Sequence, residues 1–204
     1  MTGIYSVILA AGSSKRLGFN KLTLLMDSEP VIRRTATPFV EAGLGGEVIV
    51  VAGSDTVPVA AALEGLNVRV VRNEDHRQGM SSSIRAALPW IAEATAVFFH
   101  LGDKPLVKKE LLIAMVDRYR ETRRGIIVPV HDGMKGHPVL MSHGPYREEM
   151  GSLDGDKGLR EVIEKHSADV LFIEGDEGVI FDIDTGEDLE ALRRRGYRVE
   201  KGAF

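Results

Sequence analysis

The stretch that decides the fold runs from residue 4 to residue 21 and reads IYSVILA (4–10) followed by AGSSKRLGFNK (11–21). Its first part is mostly apolar on both faces, which is typical of a buried parallel strand. The small residues that follow allow backbone N–H groups to approach an anion closely. Arg16 and Lys21 then supply a planar guanidinium and a compact ammonium, both suited to phosphate oxygens. The stretch therefore predicts a strand that leads into a triphosphate-binding loop.

The spacing of the glycines separates this loop from two other phosphate-binding loops. Gly12 and Gly18 are too far apart for the dinucleotide pattern G-x-G-x-x-G, and no acidic residue ends the next predicted strand to hold a ribose. Gly18 is also not followed by Lys and then Ser or Thr, so the P-loop pattern fails. The sequence favours a different class of nucleotide site.

The rest of the chain alternates short apolar runs with longer amphipathic segments. Such alternation predicts an α/β fold with a mostly parallel sheet and helices on both faces. Ligands in such folds bind at the carboxyl ends of the strands. The predicted strands are Ile4–Ala10, Glu47–Ala52, Val68–Val71, Ala96–Leu101, Ile126–Val128 and Val179–Ile183.

Proline and capping residues predict further local features of this fold. The segment Lys135–Met141 is predicted to be an inserted hairpin or edge strand, because Pro138 cannot donate to a central ladder. Pro38 and Pro89 fall inside helical patterns, where a kink or break is expected. Thr185 and Asp188 resemble a capping box that begins the last helix.

Length and composition restrict the class of protein. The 204 residues are enough for one well-packed core, and without a linker-like stretch they are predicted to form a single domain, residues 1–204. The net charge of −4 argues against nucleic-acid and membrane-surface partners. Because cysteine is absent, thiolate sites are excluded. Since no signal peptide or membrane span is apparent, a cytoplasmic location is expected.

Three carboxylates follow predicted strands. Asp103 follows Ala96–Leu101, and Asp182 and Asp184 lie at the end of Val179–Ile183. Because strand ends meet at one edge of a parallel sheet, these side chains are expected to converge on the triphosphate. Carboxylate oxygens that leave room for water suit Mg²⁺, which is the expected cofactor.

An ordered series of motifs resembles a known family. The string L-A-A-G-x-S-x-R-x-G-x-x-K at 9–21 is similar to the signature of the MobA/MocA-type nucleotidyltransferases, and within them most to the molybdenum cofactor cytidylyltransferases. Segments 79–85, 102–105, 136–139, 155–160 and 182–188 resemble further motifs of that family, in the expected order. The resemblance implies a Rossmann-like, GT-A-like nucleotidyltransferase fold with a small inserted hairpin or edge region.

The loop and the resemblance together give a set of candidate site residues. The resemblance places one metal ligand at Asp103 and the other in the Asp182–Asp184 motif, where Asp184 is preferred and Asp182 is the alternate. It also implies roles for Gly79 and Ser83 at the base and ribose, and for His137 and Pro138 at the acceptor. The catalytic cations are Arg16 and Lys21, and the nucleotide loop comprises Leu9, Ala10, Ala11, Gly12 and Ser13. Lys104 departs from the family pattern and is expected to face solvent or the acceptor phosphate.

The implied reaction is transfer of a nucleotidyl group to a phosphate-bearing acceptor with release of pyrophosphate. The guanylyl-transferring relatives resemble L-A-G-G where this chain has Ala11, and an extra methyl group favours a pyrimidine, hence CTP over GTP. By resemblance, the acceptor is molybdopterin and a molybdoenzyme is a partner. Alternatives are guanylyl transfer, transfer to a sugar or isoprenoid phosphate, a D-x-D glycosyltransferase, and a non-catalytic nucleotide-binding accessory protein.

Overall fold

The chain folds into two sheets flanked by helices. The computed structural model describes residues 3–12 and 17–202. Its strands are β1 (Ile4–Ala10), β2 (Leu25–Met26), β3 (Glu29–Pro30), β4 (Gly45–Ala52), β5 (Arg69–Arg72), β6 (Ala96–Leu101), β7 (Ile126–His131), β8 (Met134–Lys135), β9 (Val139–Ser142), β10 (Val170–Glu174) and β11 (Val199–Glu200). Its α-helices are α1 (Val31–Glu41), α2 (Thr56–Ala62), α3 (Met80–Ala87), α4 (Lys109–Thr122), α5 (His143–Ser152), α6 (Arg160–Lys165) and α7 (Gly186–Arg194).

The main sheet has β1 near its centre. Its strand order is β10-β7-β9-β6-β1-β4-β5, and β8 adds to β7. β1 pairs in parallel with β4 on one side and β6 on the other. Both faces of β1 are covered, and Val7 and Ile8 are fully buried on opposite faces. This double burial explains why the strand lacks the polar alternation of a half-exposed strand.

Two apolar layers cover the faces of the main sheet. One layer contains side chains of α1, α2 and α4, such as Phe39 and Leu112, packed with Phe98. The other contains side chains of α3, α5 and α6, such as Ile84, packed with Phe99. Neighbouring residues of β6 thus enter different layers, as the two-residue period of a strand requires. In the ranges given above, no helix combines the length and apolar character needed to cross a membrane.

A small antiparallel sheet lies apart from the main one. It has the order β11-β2-β3, so residues near the C-terminus pair with residues 25 and 26. A separate apolar cluster joins it to α7 through Met26, Ile183 and Leu192, all fully buried. The sequence analysis did not predict this sheet, because its strands are only two residues long and show no periodicity.

Most predicted elements are confirmed. The strands at Ile4–Ala10 and Ala96–Leu101 have the predicted bounds, and three others begin or end within three residues of theirs. The mostly parallel sheet with helices on both faces is also confirmed. α3 ends at Ala87, and a 3₁₀ turn with Pro89 in its first residues follows, so the break there is confirmed. At Pro38 the helix does not break, because α1 continues through this residue to Glu41, so of the two outcomes expected there only the kink stays a prediction.

The predicted strand Val179–Ile183 was wrong. Asp176 accepts a hydrogen bond from the Gly178 N–H and begins a 3₁₀ turn, Glu177–Val179, after which the chain is irregular. The strand in this region is β10, which pairs in parallel with β7. Leu171 and Ile173 of β10 pack on the core while Phe172 is exposed. This alternation in burial is not visible in the sequence, because residues 170–173 are all apolar.

The position of the inserted segment differs from the prediction in one respect. β8 forms an antiparallel hairpin with β7, as expected. β9, however, lies inside the sheet, antiparallel to both β6 and β7, and not at an edge. Pro138 lies just before β9, so its missing N–H costs the ladder no hydrogen bond. Pro138 itself is thus outside the ladder, as expected, but the strand that begins at the next residue is not at an edge.

Candidate active site

A cleft of about 790 Å³ opens at the carboxyl edge of the main sheet. The loops after β1, β4, β5 and β6 form its floor, which is the usual ligand position in a parallel α/β sheet. Its lining residues are Leu9, Ala10, Ala11, Gly12, Lys21, Leu22, Ser54, His76, Arg77, Gly79, Met80, Ser83, Leu101, Asp103, Asp156 and Asp184.

Lys21 joins two carboxylates at one end of this cleft. Its Nζ lies 2.5 Å from Oδ2 of Asp103 and 2.5 Å from Oδ1 of Asp184. Asn20 holds the backbone here, because its side chain accepts from the Leu22 N–H and caps the 3₁₀ turn that contains Lys21. Burial opposes the charge, but Asp103 and then Asp184 outweigh it and raise the pKa of Lys21. The ammonium is therefore held in its charged form.

The two carboxylates fit a divalent cation. They already share one cation, the lysine ammonium, and Oδ1 of Asp103 is buried without a hydrogen-bond partner among residues 3–12 and 17–202. Oxygen ligands are those that Mg²⁺ and Mn²⁺ take. In the described ranges no cluster of three or more His, Asp or Glu side chains forms a complete metal cage. A metal at Asp103 and Asp184 would thus need oxygens from a bound phosphate or from water.

The last helix fixes the backbone at Asp184. Oδ2 of Asp188 accepts from the N–H of Asp184 at 2.9 Å and from the N–H of Thr185 at 2.7 Å. In return, the Thr185 hydroxyl accepts from the Asp188 N–H, which completes the predicted capping box. The Ile183 N–H also donates to the backbone oxygen of Asp103. The loops that carry Asp103 and Asp184 are therefore bonded directly to each other.

Replacement of Thr185 by alanine is expected to lower the free energy of unfolding by about 1 kcal/mol, because the first turn of α7 loses its cap. Urea unfolding of the purified variant measures this. Thr122→Ala is the matched control, since the Thr122 hydroxyl bonds a carbonyl within its own helix and caps no helix start. Equal decreases in the free energy of unfolding for the two variants would contradict the role of the capping box.

Asp182, the alternate metal ligand, lies beside a different lysine. Its Oδ2 is 4.0 Å from Nζ of Lys104, and it does not line the cleft. Lys104 was expected to face solvent or an acceptor, but it is buried and donates to the backbone oxygen of Ile180 at 2.9 Å. Burial lowers the pKa of Lys104, an effect that Asp182 opposes. Lys104 therefore supports the irregular segment that leads to Asp184.

The residues predicted for the nucleotide fall into two groups. Those on the cleft wall are Leu9, Ala10, Ala11, Gly12, Gly79 and Ser83. Ser13 and the catalytic candidate Arg16 lie outside the described residues. Gly79 has a φ of 91°, and a Cβ there would stand 2.6 Å from the backbone oxygen of Gly155. A side chain at residue 79 would thus both strain the backbone and displace the loop at Gly155.

The start of α3 is tied to that same loop. Asp156 accepts from the Met80 N–H at 3.0 Å, and the Gly155 oxygen accepts from the Ser81 N–H. Ser83 instead accepts from the side-chain amide of Asn73. The first amides of α3 are therefore already bonded within the protein.

The predicted acceptor residues lie outside the cleft lining. The His137 N–H donates to the backbone oxygen of Val179, and its ring meets that of His100 with 6.3 Å between centroids. Burial lowers the pKa of His137 to about 4, and Lys104 contributes to this shift. The structure therefore places His137 and Pro138 outside the cleft that Lys21, Asp103 and Asp184 line, although Asp103 is near enough to oppose the lowering of the His137 pKa.

Seven cleft residues are not among the site residues predicted from sequence: Leu22, Ser54, His76, Arg77, Met80, Leu101 and Asp156. Arg77 is exposed and has no ion-pair partner among the residues that the structure describes. Three of these residues could be predicted from the sequence, because Ser54 follows β4 and His76 and Arg77 follow β5. The carboxyl ends of these strands face the ligand edge of the sheet. Every loop at that edge is therefore a candidate for site residues.

Comparison with known proteins gives consistent matches over most of the chain. A family model described as MobA-like NTP transferase domain matches residues 6–170. The molybdenum cofactor cytidylyltransferase of Escherichia coli K12 is 25% identical over 197 residues, 96% of this chain and 98% of that protein. The nicotine blue oxidoreductase of Paenarthrobacter nicotinovorans is 26% identical over 93% of this chain and 96% of that protein.

Two solved structures are also similar to this chain over nearly their whole length. Rv0371c from Mycobacterium tuberculosis H37Rv has a TM-score of 0.82 and 31% identity, covering 94% of this chain and 97% of that one. The complex of the same protein with manganese has a TM-score of 0.76 and 30% identity, covering 94% and 98%.

Proposed function

This chain belongs to the MobA-like NTP transferase family, and we propose that it transfers the cytidylyl group of CTP to a phosphate-bearing acceptor, with release of pyrophosphate. That it is a nucleotidyltransferase follows from the family. The nucleotide, the acceptor and Mg²⁺ as the metal are the proposal. Molybdopterin is the first acceptor to test, since a relative similar over nearly its whole length is named molybdenum cofactor cytidylyltransferase.

One observation carries the proposal: Lys21, Asp103 and Asp184 meet at one end of a cleft that the loop after β1 lines. A triphosphate carries several negative charges and needs cations close to its bridging oxygens. Lys21 supplies one cation, and the carboxylates are suited to hold a divalent one. A glycosyltransferase starts from a finished nucleotide sugar and has no need of the Arg16 and Lys21 cations of a triphosphate loop, and a nucleotide sensor could do without some of the four residues Arg16, Lys21, Asp103 and Asp184.

The proposed reaction needs little proton transfer. An oxygen of the acceptor phosphate attacks the α-phosphorus, the bond from that phosphorus to its bridging oxygen breaks, and the electron pair leaves with pyrophosphate. The attacking oxygen is already anionic at neutral pH, so no general base is required. Lys21 stabilises charge on the leaving group, a task that Arg16 is proposed to share. When bound, Mg²⁺ would reduce the repulsion between the two phosphate groups.

The choice of CTP rests on Ala11. This residue lines the cleft, and its backbone oxygen lies so close to Gly53 that a Cβ on Gly53 would stand 2.9 Å away. A methyl group on the cleft wall narrows the space left for the base, which favours the smaller pyrimidine ring. Guanylyl transfer, and transfer to a sugar or isoprenoid phosphate, are the remaining alternatives within the class.

Pyrophosphate release with CTP, GTP, ATP or UTP, each with Mg²⁺ and molybdopterin, tests the proposal. CTP is expected to give the highest kcat/KM. In Ala11→Gly the preference for CTP over GTP is expected to fall by about 10-fold, the usual effect of one methyl group in a binding pocket. Ala114→Gly, on the exposed side of α4, is the control for glycine itself.

Equal turnover of CTP and GTP by the wild type would overturn the choice of nucleotide. Release of pyrophosphate only with a sugar phosphate or isoprenoid phosphate would overturn the choice of acceptor. Absence of pyrophosphate release with every pair would favour a different activity on this fold, for which the oxidoreductase relative is a precedent.

A further inference from the structure

The cleft has two chemically different ends. Lys21, Asp103 and Asp184 occupy the end at β6, while His76 lies in the 3₁₀ turn that follows β5. The strand order β5-β4-β1-β6 separates these ends by three steps of about 4.8 Å, or about 14 Å in all. An extended nucleoside triphosphate with its phosphates at β6 thus has its base beside β4 and β5. This placement rests on the function proposed above.

The ring of His76 has a defined orientation. Its Nδ1 lies 3.2 Å from the backbone oxygen of Asn73. Asn73 is itself fixed, since its N–H donates to Ala52 and its side chain donates to Ser82 and Ser83. A carbonyl oxygen only accepts, so the proton of the neutral imidazole is on Nδ1 and Nε2 is an acceptor. In the described part of the chain, Nε2 has no hydrogen-bond partner.

Gly53 brings this ring against the nucleotide loop. A Cβ at Gly53 would stand 2.9 Å from the Ala11 oxygen and 3.1 Å from Cγ of His76. The absence of a side chain at residue 53 therefore allows Ala11 and His76 to form one continuous wall. Both residues line the cleft.

We propose that His76 is a specificity residue that reads the base through Nε2, accepting a hydrogen bond from an exocyclic amine. Cytosine carries such an amine at C4, whereas uracil carries a keto oxygen there. The keto oxygen and Nε2 of His76 are both acceptors and cannot form a hydrogen bond with each other. Each would also lose its bound water when the nucleotide binds. Ala11 then selects for ring size, and His76 separates cytosine from uracil within the pyrimidines.

Calorimetric binding of CTP, UTP and 2-pyrimidinone riboside triphosphate, which lacks the C4 amine, tests this with Mg²⁺ present. The wild type is expected to bind CTP at least about 10-fold more tightly than either of the others. In His76→Phe, which keeps a flat ring but has no acceptor, the three affinities are expected to fall within about threefold. His131→Phe, outside the cleft, is the matched control and should keep the wild-type preference.

The outcomes separate this inference from the proposed function. A preference for CTP over UTP that survives in His76→Phe would overturn the role of His76 and leave the proposed function in place. So would equal binding of CTP and the 2-pyrimidinone analogue by the wild type, a measurement that does not depend on the variant folding. If the wild type binds no triphosphate, both fail together.

Discussion

Replacement of Lys21 by methionine is expected to lower nucleotidyl transfer by about 100- to 1000-fold, the usual cost of losing one charged or hydrogen-bonding group at a leaving group. Methionine is similar in length but carries no charge. Lys21 is 8% exposed, so its ammonium acts in a site with little water, where charge interactions are strong. The measurement is pyrophosphate release at saturating CTP and acceptor.

Two controls make the Lys21 result specific. Lys109→Met removes an exposed ammonium that pairs with Glu41 on the surface, and is expected to keep activity within twofold of the wild type. In Lys21→Met the carboxylates of Asp103 and Asp184 lose the cation between them, so thermal unfolding should be recorded with and without Mg²⁺. Near-normal turnover in a folded Lys21→Met protein would remove Lys21 from the mechanism.

Replacement of Asp103 by asparagine is expected to reduce turnover by at least about 100-fold and to abolish its saturable dependence on Mg²⁺. The amide keeps the size of the side chain but removes the negative charge that would hold the metal. Titration of activity with Mg²⁺, and then with Mn²⁺, measures the effect. Asp117→Asn, on the exposed side of α4, is the matched control.

The same titration distinguishes the two candidates in the Asp182–Asp184 motif. Asp184→Asn is expected to resemble Asp103→Asn, because Asp184 shares the Lys21 ammonium with Asp103. Asp182→Asn is expected to stay within a few-fold of wild-type activity, because Asp182 lies beside Lys104. The reverse order of the two effects would make Asp182 the metal ligand.

The sequence was sufficient to predict the parts of the fold that depend on local patterns. β1 and β6 are apolar runs buried on both faces, and their bounds were predicted without error. The capping box at Thr185 is also local, because its two side chains are three residues apart. Asp103 directly follows β6, so its place at the ligand edge required only the strand and its direction.

What the sequence did not reveal depends on contacts between distant residues. β9 is central because residues 139–142 pair with β6 and residues 140 and 141 also pair with β7, and nothing in three apolar residues and a serine indicates two partners. The burial of Lys104 depends on a backbone oxygen 76 residues away. The position of His76 depends on the Asn73 oxygen, which orients its ring, and on Gly53, which lets the ring approach Ala11; neither contact can be predicted from the sequence around His76.

The small sheet affects how easily the contact between Asp184 and Lys21 is lost. Asp184 is held by the third apolar cluster, which joins α7 to β2 and β11 and is much smaller than the two layers on the main sheet. Small cooperative units open more often than large ones. The small sheet and α7 are therefore expected to unfold transiently while the amide protons of the main sheet stay protected from hydrogen exchange. Each opening separates Asp184 from Lys21, 163 residues earlier in the chain. We therefore expect activity to be lost at a lower temperature than the structure of the main sheet, and a bound metal–nucleotide complex would raise that temperature by mass action.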